Sequence, residues 1–179
     1  MNSQTVSASA RFYHWVIALI MVGLLGVGIT MAQFEIWPLY PIHKALGVLA
    51  LFVIIPRVVM RLKQGMPLPV EQTPNWQHKV AKYAHWLLLA STLTMPLSGL
   101  LFSGFGGYGV DVFGVPLIPS QHTDNGVIAY HQGISDFGAQ VHTINGYFLV
   151  ALVVGHIAAA LKHHFFDKDA TLLRMLGRV

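Results

Sequence analysis

The stretch AQVHTINGYFLVALVVGHIAAALKH (139–163) decides how this chain folds. It has no acidic residue, and its one lysine, Lys162, stands at its end. About 20 apolar helical residues cross a hydrocarbon core, so the run is long enough to span one. Backbone amides in lipid need partners inside their own segment, so the run is helical. Yet besides His163 at its very end it carries, within the apolar run, two imidazoles, His142 and His156, fourteen residues apart. Nearly four turns separate them: they share a face within about 40° and differ by about 21 Å along the axis. One helix thus offers two imidazoles to one bundle interior at two depths.

Working outward, three more apolar stretches lie near 12–32, 42–62 and 80–104. The 179 residues are 54% hydrophobic and only 10% charged, with a mean hydropathy of +0.57. A soluble domain carries roughly 25% charged residues, so a soluble enzyme, a disordered chain and a coiled coil are all disfavoured. The expected fold is an all-α membrane protein, a four-transmembrane-helix bundle forming a single domain over 1–179. There is no cysteine, which removes disulfides, iron–sulfur clusters, thiolate zinc sites and covalent haem attachment.

Charge sorts by side. Arg11, Arg57, Arg61, Lys63, Lys79, Lys82, Lys162, Lys168, Arg174 and Arg178 fall on one side, and only Lys44 on the other. The positive-inside rule then puts both termini and the 63–79 loop in the cytoplasm. The net charge of +4 is a topology signal, with anionic membrane lipid as its counter-charge and no nucleic-acid partner. The apolar run Trp15 to Ala32 exceeds a signal-peptide core, and Thr30-Met31-Ala32 is a poor cleavage site, so span one is read as retained.

The segment 33–41 is short and aromatic, and 64–78 is a Pro-rich linker. The outer stretch 105–138 is long for a compact protein and is expected to be functional or partly folded. Within it GVIAYHQGISDF (126–137) can be read as a helical lead into span four.

Ionisable residues inside a membrane are costly and are read first as functional. His14 opens span one at the inner face, His43 opens span two at the outer face, and His85 lies near the inner start of span three. His43 matches His142 in depth, and His14 matches His156. Neutral imidazole is a good iron ligand, and two per metal give a six-coordinate b-type haem. A single histidine in a span more often lines a bundle as a satisfied polar group. Four matched in depth, two of them on one helix face, favour two stacked haems. Ala18, Gly47, Gly146 and Ala160 follow these histidines by four and could leave room for a porphyrin, although small residues also favour plain helix packing.

Other chemistry has little support. Di-iron bundles need several glutamates, and the only two here, Glu35 and Glu71, lie in loops. No H-E-x-x-H, P-loop or dinucleotide motif occurs. His163 and His164 diverge by about 100° on a helix, and His78, His122 and His131 are read as loop or interface residues. No Asp or Glu lies inside a span, so electrons are a more natural cargo than ions.

RFYHW (11–15), IHKALG (42–47), IPRVVMRL (55–62), AHWLLL (84–89), VHTINGYF (141–148), GHIAAALKHHFFDKD (155–169) and TLLRM (171–175) together resemble the bacterial cytochrome b561 group. That group is related to the cytochrome b subunits of nickel–iron hydrogenase and formate dehydrogenase. The resemblance covers almost the whole chain and is most specific in its fourth span and tail. It implies four transmembrane helices in the bacterial inner membrane, two non-covalent haem b groups, and electron transfer that usually involves quinone, here ubiquinone. By position, His43 and His142 match the outer ligands, and His14 and His156 the inner ones. His85 also falls on a family histidine, so a His14/His85 pair stays open, with His156 then near quinone.

Arg61 could pair with a haem propionate, or serve topology alone. His163, nearly in phase with His156, could face an inner quinone beside Arg11 and Lys82, or simply snorkel at the interface. One family member resembles a superoxide oxidase. The outer charges Glu35, Asp111, Asp124 and Asp136 against Lys44 steer an anion poorly, which ranks that activity below general electron transfer. A non-redox transporter or scaffold is the remaining alternative. Quinone or another redox partner is expected to complete the circuit, and a homodimer or a larger assembly stays open.

Overall fold

The computed structural model describes residues 6–66 and 74–178. Residues 67–73 of the Pro-rich linker, with Glu71, lie outside the described residues. The helices are α1 (Ala8–Gln33), α2 (Leu39–Gln64), α3 (Asn75–Phe105), α4 (Gln132–Lys162) and the short α5 (Thr171–Leu176). A π-helical turn, His163–Asp167, continues α4. The first four are long and apolar enough to cross a membrane. Each overruns the apolar stretch that marks it, and α3 and α4 reach 31 residues. That length is about 46 Å against a hydrocarbon core of about 30 Å, so the polar end turns extend beyond it. Apolarity reports the part of a helix in lipid, not the whole helix.

The antiparallel seam between α3 and α4 is written in small and polar residues. The Ser135 hydroxyl donates to the Phe102 carbonyl at 2.9 Å. Gly138 lies so close to Leu101 and Phe102 that a Cβ would collide with the Phe102 amide nitrogen. The His142 ring meets the Met95 carbonyl at 2.9 Å, and the Asn145 amide donates to the Ser91 carbonyl at 3.0 Å. Steps of three and four from 135 to 145 keep these residues on one face of α4. Small residues let membrane helices approach closely, and polar ones bond across the gap. Leu149, fully buried, continues the face into a core of Ile17, Met21, Leu25, Ala50, Ile54 and Met95. Large apolar side chains such as Leu19, Phe52 and Ile144 point outward, as expected where lipid is the solvent.

The 105–138 stretch folds into two small antiparallel hairpins, β1 (Val110–Val112) with β2 (Val115–Ile118) and β3 (His122–Thr123) with β4 (Gly126–Val127). Phe113 and Gly114 make the first turn with φ of 50° and 93°, the positive angles a tight two-residue hairpin turn requires. The Gly114 amide donates to Asp111 Oδ1 at 2.7 Å. Lys44 at the start of α2 holds this loop down, donating to the carbonyls of Tyr108 and Gly109 at 3.2 and 2.8 Å. The helical reading of 126–137 is half right. Ile128 donates to the Gln121 carbonyl and His131 to the Phe105 carbonyl, each at 3.0 Å, so this backbone pairs with the preceding loop. Helix begins only at Gln132, where His131 Nδ1 accepts from the Ile134 amide at 3.3 Å as its N-cap.

At the opposite end α1 and α5 meet. Ser7 caps α1, its hydroxyl accepting from the Ala10 amide. Trp15 Nε1 donates to the Met175 carbonyl at 2.9 Å, tying α5 to α1.

Candidate functional site

Histidines gather at two levels of the bundle. At the hairpin end, His43 of α2 and His142 of α4 face each other with ring centres 6.2 Å apart and planes at 86°. A neutral imidazole whose Nδ1–H is given to a carbonyl has its Nε2 lone pair free and aimed. Met95 supplies that carbonyl to His142, and the Ser98 hydroxyl lies 3.2 Å from the same nitrogen. His43 Nδ1 is buried without a hydrogen-bond partner, an unsatisfied state that costs free energy. A cavity of about 30 Å³ between the rings is lined by Met21, Leu24, Leu25, Gly47, Ala50, Met95 and Pro96. These side chains are small or flexible and apolar, a lining suited to the face of a macrocycle.

At the terminal end, His156 of α4 meets two histidines, His14 of α1 at 6.1 Å and His85 of α3 at 5.4 Å between ring centres. Arg57 Nη2 donates to His14 Nδ1 at 3.1 Å, because a guanidinium can only donate. Among the described residues, Arg57 Nη1 is buried with no partner. Arg61, one helical turn on, is 7% exposed and donates to the Gly65 carbonyl at 3.4 Å. Two nearby guanidiniums, Arg61 buried and Arg57 with a buried, unpartnered edge, suit a group that brings carboxylates of its own.

The donor set fits a haem. Two imidazoles on opposite faces of one metal, each bonded at about 2 Å, have ring centres roughly 6 Å apart. His43/His142 and His14/His156 both meet that spacing, whereas His85/His156 is tighter. One condition attaches to His14. A ring bound through Nε2 carries its proton on Nδ1, where it needs an acceptor, so Arg57 must leave Nδ1 for His14 to serve.

His163 is brought to the acids of its own π turn and tail. Its Nδ1 lies 2.9 Å from Asp167 Oδ2 and 2.8 Å from Asp169 Oδ2. Burial raises the Asp169 carboxyl, but hydrogen bonds from Thr171 and the charge and ring nitrogen of His163 outweigh it and hold Asp169 below the usual carboxylate range. Arg11 does not take part: it donates to the Val6 carbonyl and its guanidinium lies against Gly177.

Sequence reasoning missed the residues that press on these histidines from neighbouring helices. A Cβ on Gly28 of α1 would meet His43 Cε1 at 3.1 Å, and one on Gly99 of α3 would meet His142 Cε1 at 3.2 Å. The i+4 positions show less: Gly47 has nothing within 4 Å of such a Cβ, and Gly146 only Met95 at 3.7 Å. Spacing along one helix cannot find a glycine on another.

Four membrane-crossing helices with imidazole pairs at two levels define a membrane cytochrome of the b type. The sequence comparisons agree. A family profile described as prokaryotic cytochrome b561 matches residues 5–178. "Cytochrome b561 homolog 2" of Escherichia coli K12 is 32% identical over 171 residues, covering 93% of this chain and 88% of that protein. "Cytochrome b561 homolog 1" of the same organism is 30% identical over 183 residues, covering 96% and 97%. A Yersinia pestis protein named "Probable superoxide oxidase CybB" is 23% identical over 173 residues, covering 92% of each. The chain belongs to the prokaryotic cytochrome b561 family, whose members bind haem b and transfer electrons in membranes.

Proposed function

We propose that this chain is one dihaem domain carrying electrons across the bacterial inner membrane and exchanging them with ubiquinone at its terminal end. The observation that supports it is the pair of imidazole separations, 6.2 and 6.1 Å, at two levels joined by His142 and His156 of one helix. Bound haem supplies one-electron redox chemistry at each level. In this reading His43 and His142 hold the outer group, and His14 and His156 the inner one, with His85 packed against His156. Met95 fixes the tautomer of His142. Arg61 faces the inner propionates beside Arg57.

The basic terminal side faces the cytoplasm and anionic lipid. His163 is the quinone contact: with Nδ1 committed to Asp167 and Asp169, Nε2 is left to bond a quinone carbonyl. Superoxide oxidation, the activity named for the Yersinia relative, is the weaker reading. The hairpin side carries Glu35, Asp111, Asp124 and Asp136, and its one cation, Lys44, is bonded to two carbonyls rather than offered to an anion.

The test is a haem count and a reduced-minus-oxidised visible spectrum on the purified full chain, followed by reoxidation with a ubiquinone analogue. Two haem b per chain and quinone-dependent reoxidation are expected. One haem or none defeats the dihaem arrangement, and reoxidation indifferent to quinone defeats the assigned acceptor.

A further inference from the structure

The two histidine levels differ in fixed charge, and the difference bears on which way an electron runs. At the terminal level Arg57 touches His14 and Arg61 is buried one turn away. Among the described residues Arg57 Nη1 has no partner, and no acidic residue within the spans offsets either guanidinium. At the hairpin level the cation is Lys44, next to His43 in sequence. Its ammonium is turned onto the Tyr108 and Gly109 carbonyls, and Asp111 of the hairpin stands nearby as its counter-charge.

Reducing an iron porphyrin adds one negative charge to its site. Charges in a water-poor interior are felt over several ångströms and favour the reduced form where they are positive. Haem propionates come with either group and so do not distinguish the levels.

We infer that Arg57, with Arg61 behind it, makes the terminal haem the stronger oxidant of the two and so biases electrons from the hairpin end toward the terminal end. Arg57 is a positioning residue: it acts through charge on the haem site and binds no iron. The step is a single electron leaving the iron at the hairpin level and reducing the iron at the terminal level, with no proton and no third reactant. The inference rests on the dihaem reading above.

An equilibrium redox titration of the purified full-length protein, followed in the visible spectrum, tests it. His43→Ala, which removes the hairpin-level ligand, identifies the component that remains as terminal. That component is expected to be the higher-potential one of the wild type. Arg57→Gln should make the terminal haem about tenfold harder to reduce, a fall of about 59 mV for a one-electron couple, and leave the hairpin component in place. Arg57→Lys keeps the charge and should restore most of the shift. A hairpin component of equal or higher potential overturns the inference, and so does an Arg57→Gln shift that is absent or shared by both components. If Arg57→Gln sheds the terminal haem, the wild-type order and Arg57→Lys still decide. A wild-type chain with fewer than two haems would instead sink the dihaem reading itself.

Discussion

The two ends of the bundle hold their histidines by different means. At the hairpin end the partners are neutral: a carbonyl and a hydroxyl at His142 and a glycine against each ring. At the terminal end three imidazoles crowd together and a guanidinium occupies a ring nitrogen. A carbonyl accepts a proton and leaves the other ring nitrogen free for metal. A guanidinium does the opposite. His142 is therefore held with its other ring nitrogen free, although His43 has no such partner, whereas His14 could hold a metal through Nε2 only once Arg57 had left its Nδ1.

The largest effects should come from the facing histidines. His142→Ala is expected to halve the haem content, sparing the terminal group, because it leaves His43 without the imidazole that faces it at the hairpin level. His85→Ala is expected to leave two haems per chain, since His156 already finds His14 at the better spacing. A pyridine haemochrome count reads both variants. Loss of a haem from His85→Ala would move the terminal ligand from α1 or α4 to α3 and undo the symmetry between the two pairs.

Smaller, and specific to one end, is the effect of filling the glycine contacts. Gly99→Val would put a branched side chain where even a Cβ lies 3.2 Å from His142 Cε1. Overpacking of this kind typically costs about 1–3 kcal/mol. The variant should lose its hairpin-level haem at a lower temperature than wild type and keep the terminal one. Thermal haem release followed by absorbance separates the two. Equal loss from both levels would show that Gly99 serves general helix packing rather than the ring of His142.

Much of this was legible in the sequence because membrane folds are strongly constrained. Four apolar runs gave four helices, and fourteen-residue spacing on α4 put His142 and His156 at two levels of the same interior. The less legible features are all cross-chain or local. Gly28 and Gly99 sit on helices other than the histidines they touch. The hairpins at 110–127 carry few period-two cues, and their positive-φ turn uses Phe113, a residue that does not advertise it. The π turn at 163–167 takes His163 out of the simple helical phase with His156 and gives it to Asp167 and Asp169.

That last pairing gives the smallest effect and a further contrast between the ends. Among the described residues, the terminal tail hangs on an ionised carboxylate: Asp169 accepts from His163 and from the Thr171 amide at the start of α5. The carboxyl is held below its usual range by those bonds. Its contribution is therefore present in full above the unfolded carboxylate value of about 3.9 and lost as pH falls through the lower folded value. The hairpin loop is anchored to the helices instead by Lys44 and Ser103 on backbone carbonyls, which do not titrate there, and its carboxylate, Asp111, bonds only within its own turn, to the Gly114 amide, among the described residues. Acidification should then raise hydrogen exchange in the Thr171–Leu176 helix before it does so at Val110–Ile118, after correction for intrinsic rates. Asp169→Asn should make the helix exchange faster at neutral pH and remove most of its acid response, at a cost of no more than about 1 kcal/mol. Parallel loosening of both ends in acid, or a tail in Asp169→Asn that still responds to pH as the wild type does, would mean that α5 is held by its packing on Trp15 rather than by this carboxylate.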